Sequence, residues 1–400
     1  MKKALSAVLK AIGILMIVGG PLFVFYLIAS LGLFPLYVTR MIPVAGISLL
    51  LVLIVVSSGY LPKKWRKPLW CAFLCICLGC GGYIGVGAYR DSIPVVDDRT
   101  LILQDYIPFE EGNLLAVLKE EADFKLENPW SIRLDGATAL YPVYAAFTQA
   151  VYPKNQADKP ISYRPYHSTV ECSGTVGAYE RLIAGEVDMI FVAGPSDAQQ
   201  EAAAKAGVEL HLTPIGQEAF VFFVNNENPV ESLTVKEIQR IYTGEITNWK
   251  ALGGRNQKIR PYQRAEDSGS QTALQRLMAG LPLMEPEEED RIAGMGGIIR
   301  QVASYRNYKN AIGFSFRYYA TEMVQNGQIR LLALEGVKPT KETIRDGSYP
   351  IASDFYAITA SPAGFPPPET QNQLLGGFLK WILSDQGQEL IEETGYVALN

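Results

Sequence analysis

The chain has 400 residues, with 36 basic and 41 acidic side chains, and is too long for one ordinary domain. Its charge is unevenly spread: residues 1–90 hold nine Lys and Arg and no Asp or Glu, which leaves 27 basic and all 41 acidic residues, a net of −14, to residues 91–400. A field of that sign repels a nucleic-acid backbone and an anionic membrane surface, so no nucleic-acid partner is expected for the acidic part.

The basic N-terminal part reads as a membrane region. Ala11 to Leu33, Met41 to Leu61 and Pro68 to Ala88 are uncharged apolar runs, each near the roughly 20 residues that a spanning helix needs. The first run is too long for a cleaved signal peptide and lacks a small-x-small site before a polar start. Lys2, Lys3 and Lys10 precede the first span, and Lys63, Lys64, Arg66 and Lys67 separate the second from the third. The positive-inside rule then puts the N-terminus and the Lys63–Lys67 loop in the cytoplasm and residues 91–400 outside, in a multi-pass cell-membrane protein. Cys71, Cys75, Cys77 and Cys80 lie in the third span and read as small packing residues. Cys172 is alone in the outer domain, and His167 and His211 are the only histidines. Neither a metal nor a cofactor is called for.

Asp91 to about Asn128 reads as a polar connector that can partly pack on the domain, with a short helix over Leu114–Glu121. From Trp130 strands and helices alternate. Strands are expected at Ser131–Leu134, Met189–Ala193, Phe220–Val224, Ile312–Phe316 and Tyr356–Thr359. Helices are expected at Leu140–Val151, Tyr179–Ala184, Val235–Tyr242, Thr272–Met278 and Gln373–Glu393. The acidic run Glu285–Asp290 reads as a surface loop or helix start. Such alternation predicts an α/β fold with mostly parallel sheets, and about 270 residues suit two lobes better than one core.

Three segments share one chemistry. Asp135-Gly136-Ala137-Thr138-Ala139-Leu140-Tyr141-Pro142 ends a strand and opens a helix, with Thr138 at the N-cap or one residue inside. Glu171-Cys172-Ser173-Gly174-Thr175-Val176-Gly177 enters a helix at Ala178. Arg264-Ala265-Glu266-Asp267-Ser268-Gly269-Ser270 enters the helix that carries Ala273, Leu274, Leu277 and Met278. Ser and Thr are common caps, so any one loop can be a plain helix start. Three together, one with an arginine fork, point to an oxyanion held by backbone N–H groups and helix dipoles. Glu266 would orient the Arg264 guanidinium.

The outer domain resembles the substrate-binding proteins of phosphate-specific ABC transporters, a branch of the two-lobed periplasmic binding proteins. Asp135–Pro142 is similar to that family's first phosphate loop, Ser173–Thr175 falls at its Ser-rich second loop, and Arg264–Ser270 resembles its Arg-Ala-x-x-Ser-Gly-Thr/Ser loop. Ala184-Gly185-Glu186-Val187-Asp188, Asn228-Pro229, Ile241 to Trp249, Ala311-Ile312-Gly313-Phe314, Gly347-Ser348-Tyr349-Pro350, and Phe378-Leu379-Lys380-Trp381 to Gly395-Tyr396 extend the likeness over about Trp130 to Asn400. The three spans stand outside it.

The resemblance implies a two-lobed fold with a hinge, behind an all-α membrane region of three helices. The divisions expected are 1–90 for the membrane region, 91–128 for the connector, 129–224 and 353–400 for one lobe, and 225–352 for the other. The chain would cross between lobes near Phe223–Asn226 and Ile351–Tyr356. Carried over, the anion's ligands would be the Thr138 hydroxyl, the Ala139 amide, Ser173 or Thr175, and Arg264, Ser268, Gly269 and Ser270.

The family also has an Asp that accepts the proton of hydrogen phosphate. Here the strand that should precede it is longer, and Asp197 or Glu171 are the nearest residues for the role. Without such an acceptor, phosphate and sulfate are not told apart. The implied partners are inorganic phosphate and an ABC permease. The function expected is a membrane-anchored extracytoplasmic binding protein, with a signalling module or a binder of another oxyanion as alternatives. No P-loop, Gly-x-Ser-x-Gly elbow or metal spacing calls for an enzyme.

Overall fold

The computed structural model describes residues 2–30, 34–58, 61–92, 95–97, 103–154, 168–264, 266–286, 291–292, 304–306, 308–323 and 328–399. His167, Ala265 and 287–290 of the acidic run lie outside the described residues. The chain forms two compact units, Met1–Pro94 and Val95–Asn400.

In the first unit three helices are long and apolar enough to cross a membrane, over Val8–Tyr26, Val38–Ser57 and Lys63–Tyr89. The first is wound as an α-helix over Lys2–Ile14, a π-turn over Leu15–Gly19 and an α-helix over Gly20–Ser30. Gly46 of the second helix meets the Leu22 side chain so closely that a Cβ there would lie 2.1 Å from Leu22 Cδ2. A glycine with no Cβ lets two apolar helices approach where lipid supplies no hydrophobic drive.

The second unit is built on one sheet. In chain order its strands are β1 Leu134–Gly136, β2 Met189–Ala193, β3 Val208–Asn225, β4 Arg260–Pro261, β5 Ala311–Phe316, β6 Ile329–Leu331, β7 Ala352–Pro362 and β8 Val397–Ala398. They lie in the order β1-β2-β7-β3-β5-β4, with β6 and β8 also paired to β3. The principal helices are α1 Tyr141–Val151, α2 Gly174–Ile183, α3 Asp197–Lys205, α4 Val235–Tyr242, α5 Gly269–Met278, α6 Gln373–Ile382 and α7 Asp385–Thr394.

The α/β class with an open sheet matches expectation, and the strand directions correct it. β1 pairs parallel to β2, and β4 to β5. β3 runs antiparallel to β5, β6, β7 and β8, and β7 antiparallel to β2. The sheet is therefore mixed. Alternation of strand and helix sets direction only where a helix returns the chain to the same end of the sheet. Here β3 is 18 residues long, far beyond the five expected, and carries the chain from one core to another.

The first core gathers Tyr141, Tyr144, Phe147, Phe191, Ile215, Phe355, Phe378 and Trp381. The second gathers Phe222, Tyr242, Trp249, Leu274, Met278, Ile312 and Phe314. Along β2, Ile190 and Val192 face a smaller cluster with Tyr179 and Leu182, while Met189 and Phe191 face the first core. That is the period of two expected of a strand buried on both faces.

Ile215 belongs to the first core and Ala219 to the second, so β3 crosses over Gly216–Glu218 rather than Phe223–Asn226. On β7, Ala352 packs against the second core and Phe355 in the first, inside the expected Ile351–Tyr356 window. A register shift between Phe355 and Tyr356 sits at this crossing. Gly216 has to be a glycine there, because a Cβ would lie 2.5 Å from the Phe355 ring and 3.0 Å from Val397 O.

Two further expectations change. The connector carries no helix over Leu114–Glu121. Its Leu103, Tyr106, Leu115, Ala122 and Leu126 are buried in the first core, and the Asn113 amide donates to Gln149 Oε1 at 2.7 Å. The single helix expected over Gln373–Glu393 is two, α6 and α7, with Ser384 at the N-cap of the second. Ile382 O comes so near Gly387 that a Cβ there would sit 2.2 Å away, a turn too tight for one continuous cylinder.

Candidate functional site

The first loop leaves β1 at Gly136, which has room for no side chain: a Cβ would lie 2.6 Å from Phe191 O and 2.7 Å from the Tyr144 ring. Thr138–Leu140 forms a 3-10 turn, and α1 begins only at Tyr141, with Pro142 in its first turn. Thr138 is therefore not the N-cap of α1. Its Oγ1 accepts from Cys172 Sγ of the second loop at 3.8 Å, which brings those two loops together. The Ala139 carbonyl accepts from the Tyr396 hydroxyl. Burial pushes the Cys172 thiol up to about 12, so it stays a neutral packing group.

The second loop enters α2 with Ser173 at the N-cap. Asp135, fully buried at the end of β1, anchors it. Asp135 Oδ1 accepts from Ser173 N at 2.8 Å and from Gly136 N at 2.7 Å, and Oδ2 accepts from Ser173 Oγ at 2.7 Å. Arg181, two turns along α2, closes on Asp135 Oδ2 at 2.6 Å and on Glu171 Oε2 at 3.0 Å. Burial alone would ease the proton from Arg181, but the fields of Asp135 and Glu171 outweigh it and hold the guanidinium more firmly charged.

The third loop enters α5 with Ser268 as N-cap, its oxygen accepting from Gln271 N. The Gln271 side chain folds back so that its Oε1 accepts from Arg264 N at 2.9 Å. Arg264 is half-buried, Gly269 and Ser270 are buried, and Glu266 is exposed. This loop also reaches the second: a Cβ built on Gly269 would lie 3.2 Å from Thr175 Oγ1. Thr138, Ser173, Thr175 and Gly269 thus lie on three adjoining loops, although the chain separates the first and third by some 130 residues. The arrangement is rich in donors, and among the described residues no group of His, Cys, Asp and Glu could hold a metal.

Of the two acidic residues weighed as proton acceptors, one begins α3 and the other lies on the second loop. Asp197 is exposed, the first residue of α3. Glu171 is taken up by Arg181 and by Ser168 N at 3.3 Å.

A further set of residues escaped the sequence reading. Asp267, with φ of 62°, accepts from Ser196 Oγ at 2.7 Å through Oδ1 and from Gln199 Nε2 at 3.1 Å through its carbonyl. Arg276 Nη2 donates to Pro195 O at 2.7 Å. These contacts tie the segment after β2 to the third loop and α5. Arg181 had a readable signal, being one helical face on from Ser173 and Gly177. The Asp267 set had none, because its partners are about 70 residues apart.

Comparison with known proteins follows the same lines. A family model described as a PBP superfamily domain matches residues 122–386. The Phosphate-binding protein PstS of Bacillus subtilis is 26% identical over 273 residues, covering 67% of this chain and 80% of that protein. The Phosphate-binding protein PstS of Borreliella burgdorferi is 22% identical over 277 residues, covering 68% and 91%. A crystal structure of a Clostridium perfringens phosphate ABC transporter substrate-binding protein, with phosphate bound, aligns over 67% of this chain and 99% of that one, at 21% identity and a TM-score of 0.49.

Proposed function

We propose a function from one premise: the chain belongs to the PBP superfamily. Its acidic domain binds inorganic phosphate outside the cytoplasm and passes it to an ABC permease, held near that permease by the three N-terminal helices. A tether replaces free diffusion with a high local concentration of the binding domain at its target. The work is binding and release, with no bond made or broken.

The observation that carries this reading is the meeting of the three loops, through Thr138 with Cys172 and Thr175 with Gly269. Thr138, the Ala139 amide, Ser173, Thr175, Arg264, Ser268, Gly269 and Ser270 would enclose the ion. Asp197 would lie at the rim. The named relatives are phosphate-binding proteins, which supports phosphate as the guest. Lobe one takes 129–215 and 353–400, lobe two takes 219–352, and they close about the Gly216–Glu218 crossing. Calorimetric titration of the full chain in detergent should give a saturable phosphate isotherm. Heat from none of phosphate, arsenate or sulfate would refute the reading.

Closure on the ion also predicts a role for the contacts between the β2 end and the third loop. Ser196→Ala and Arg276→Ala each remove a hydrogen bond that joins the lobes. Each should weaken phosphate binding about three- to tenfold, near the ~1 kcal/mol of one net hydrogen bond, without touching the ion. Wild-type affinity in both variants would mean that these bonds do not hold the closed form.

A further inference from the structure

We infer that the segment following the third apolar helix is a strap attached to both lobes, which couples the tether to closure on the ion; the coupling rests on the phosphate-binding reading. The first attachment is to lobe two. Val95–Asp97 begins three residues beyond the end of that helix at Ser92. It forms a strand antiparallel to Ser304–Arg306, with Val95 opposite Arg306, Val96 opposite Tyr305 and Asp97 opposite Ser304. The residues just after Ser304–Arg306 are fixed to lobe two. The Arg260 guanidinium stands over the Tyr308 ring, 4.1 Å from its centre, and Asn310 O accepts from Arg260 N at 3.0 Å and from Trp249 Nε1 at 2.8 Å.

The second attachment is to lobe one. Leu103, Tyr106, Leu115, Ala122 and Leu126 are buried in the first core, Leu126 N donates to Val151 O at 2.8 Å, and Asp123 N donates to Gln386 Oε1 at 2.9 Å. From Asp97 to Leu103 the chain has only six steps of at most ~3.6 Å, or ~22 Å in all. A tie of that length limits how far the lobes can part. It also bears on the ion site. The chain between α5 and β5 that supplies Ser304–Arg306 also supplies Arg291–Ile292, which pairs parallel with Gln263–Arg264. One excursion of lobe two thus pairs with the tether's strand and with the strand of Arg264. A three-residue ladder of two strands is marginal by itself, so it can form and break as the lobes move. It is made here together with the Ser196–Asp267 and Arg276–Pro195 contacts between the lobes. An ion that binds this closed form strengthens the ladder, and the ladder strengthens ion binding by the same factor.

The test uses the full chain in detergent, with inorganic phosphate as the probe. Bonded and non-bonded pairs alternate along an antiparallel ladder, so Val96→Pro with Asp97→Pro removes a donor from it in either phase. This variant should bind phosphate about three- to tenfold more weakly by calorimetry, with its melting temperature kept. In a second variant, Val96→Cys with Tyr305→Cys, the opposed Cα atoms stand about 4.5–5.5 Å apart, within reach of a disulfide. A mild added oxidant takes the two electrons and two protons from the thiols. Phosphate should speed that bridge about threefold or more over chloride at equal ionic strength. Each single cysteine variant controls for pairing with Cys71, Cys75, Cys77, Cys80 and Cys172. Wild-type affinity in the proline variant, or a bridge whose rate phosphate leaves unchanged, would overturn the strap and leave phosphate binding standing. Absence of phosphate binding by the wild-type chain would overturn both.

Discussion

Arg264→Ala is expected to weaken phosphate binding more than tenfold and to leave folding intact. Arg264 is the one charged donor among the residues proposed to enclose the ion, and its backbone N–H donates to the Gln271 side chain in the first turn of α5. Truncating a hydrogen-bonded charge inside an interface costs about 2–5 kcal/mol, much of it from the partner charge left unmet. Arg264→Lys should recover only part, because an ammonium cannot present two parallel donors to one tetrahedral ion. Because it is Arg264 N that bonds Gln271, that contact survives the truncation and α5 should still start at Gly269. Calorimetry beside a thermal melt checks both, and unchanged affinity would remove the third loop from the site.

The second large effect concerns stability. Glu218 lies in the segment where β3 crosses between cores, buried, with Oε1 accepting from Ala219 N at 2.8 Å and Oε2 from Tyr318 N at 3.2 Å. Arg317 Nε stands 3.7 Å from Oε1, and Arg317 Nη2 donates to Gly395 O. Burial pushes the Glu218 carboxyl up to about 7, against the pull of Arg317. The folded chain therefore keeps a proton that the unfolded chain releases nearer the ordinary glutamate value. Stability contributed by this group is full below that ordinary value and is lost as pH rises toward about 7.

Arg317→Ala at pH 8 would leave a buried charge without its partner and should cost about 3–5 kcal/mol. At pH 5, where the folded state holds Glu218 neutral, the same variant should cost much less. Glu218→Gln should flatten the pH slope between those limits. Melts of the three proteins at both pH values decide it. A loss in Arg317→Ala that is equal at pH 5 and pH 8 would mean that Arg317 acts by packing alone.

Much of the architecture is visible in single segments. α4 begins and ends where its apolar spacing and the Thr234–Glu237 capping box place it. β2 reads from five apolar residues in a row. The loop before α5 shows Ser268 at its cap, as the Ser-Gly-Ser run implies. Thr138 shows where this stops. Thr138 reads as an N-cap or the first residue inside; it is the first residue of a 3-10 turn capped by Ala137, but α1 starts only at Tyr141 and the Thr138 hydroxyl meets Cys172 from another loop. The connector packs on the domain as expected, but the helix over Leu114–Glu121 does not form, because its buried side chains are spaced to fill a core and not to follow a helix.

The sequence alone determined three helices long and apolar enough to cross a membrane, the α/β class and three Ser/Thr–Gly loops at helix starts. Those follow from apolar length, charge counts and local turn chemistry, which adjacent residues carry in full. Only the tertiary structure decided that the sheet is mixed, that β3 crosses at Gly216–Glu218, that Asp135 holds the Ser173 proton and that Asp267 meets Ser196. Each depends on a partner far along the chain. Local periodicity records whether a side chain is buried, but not which distant group it is buried against.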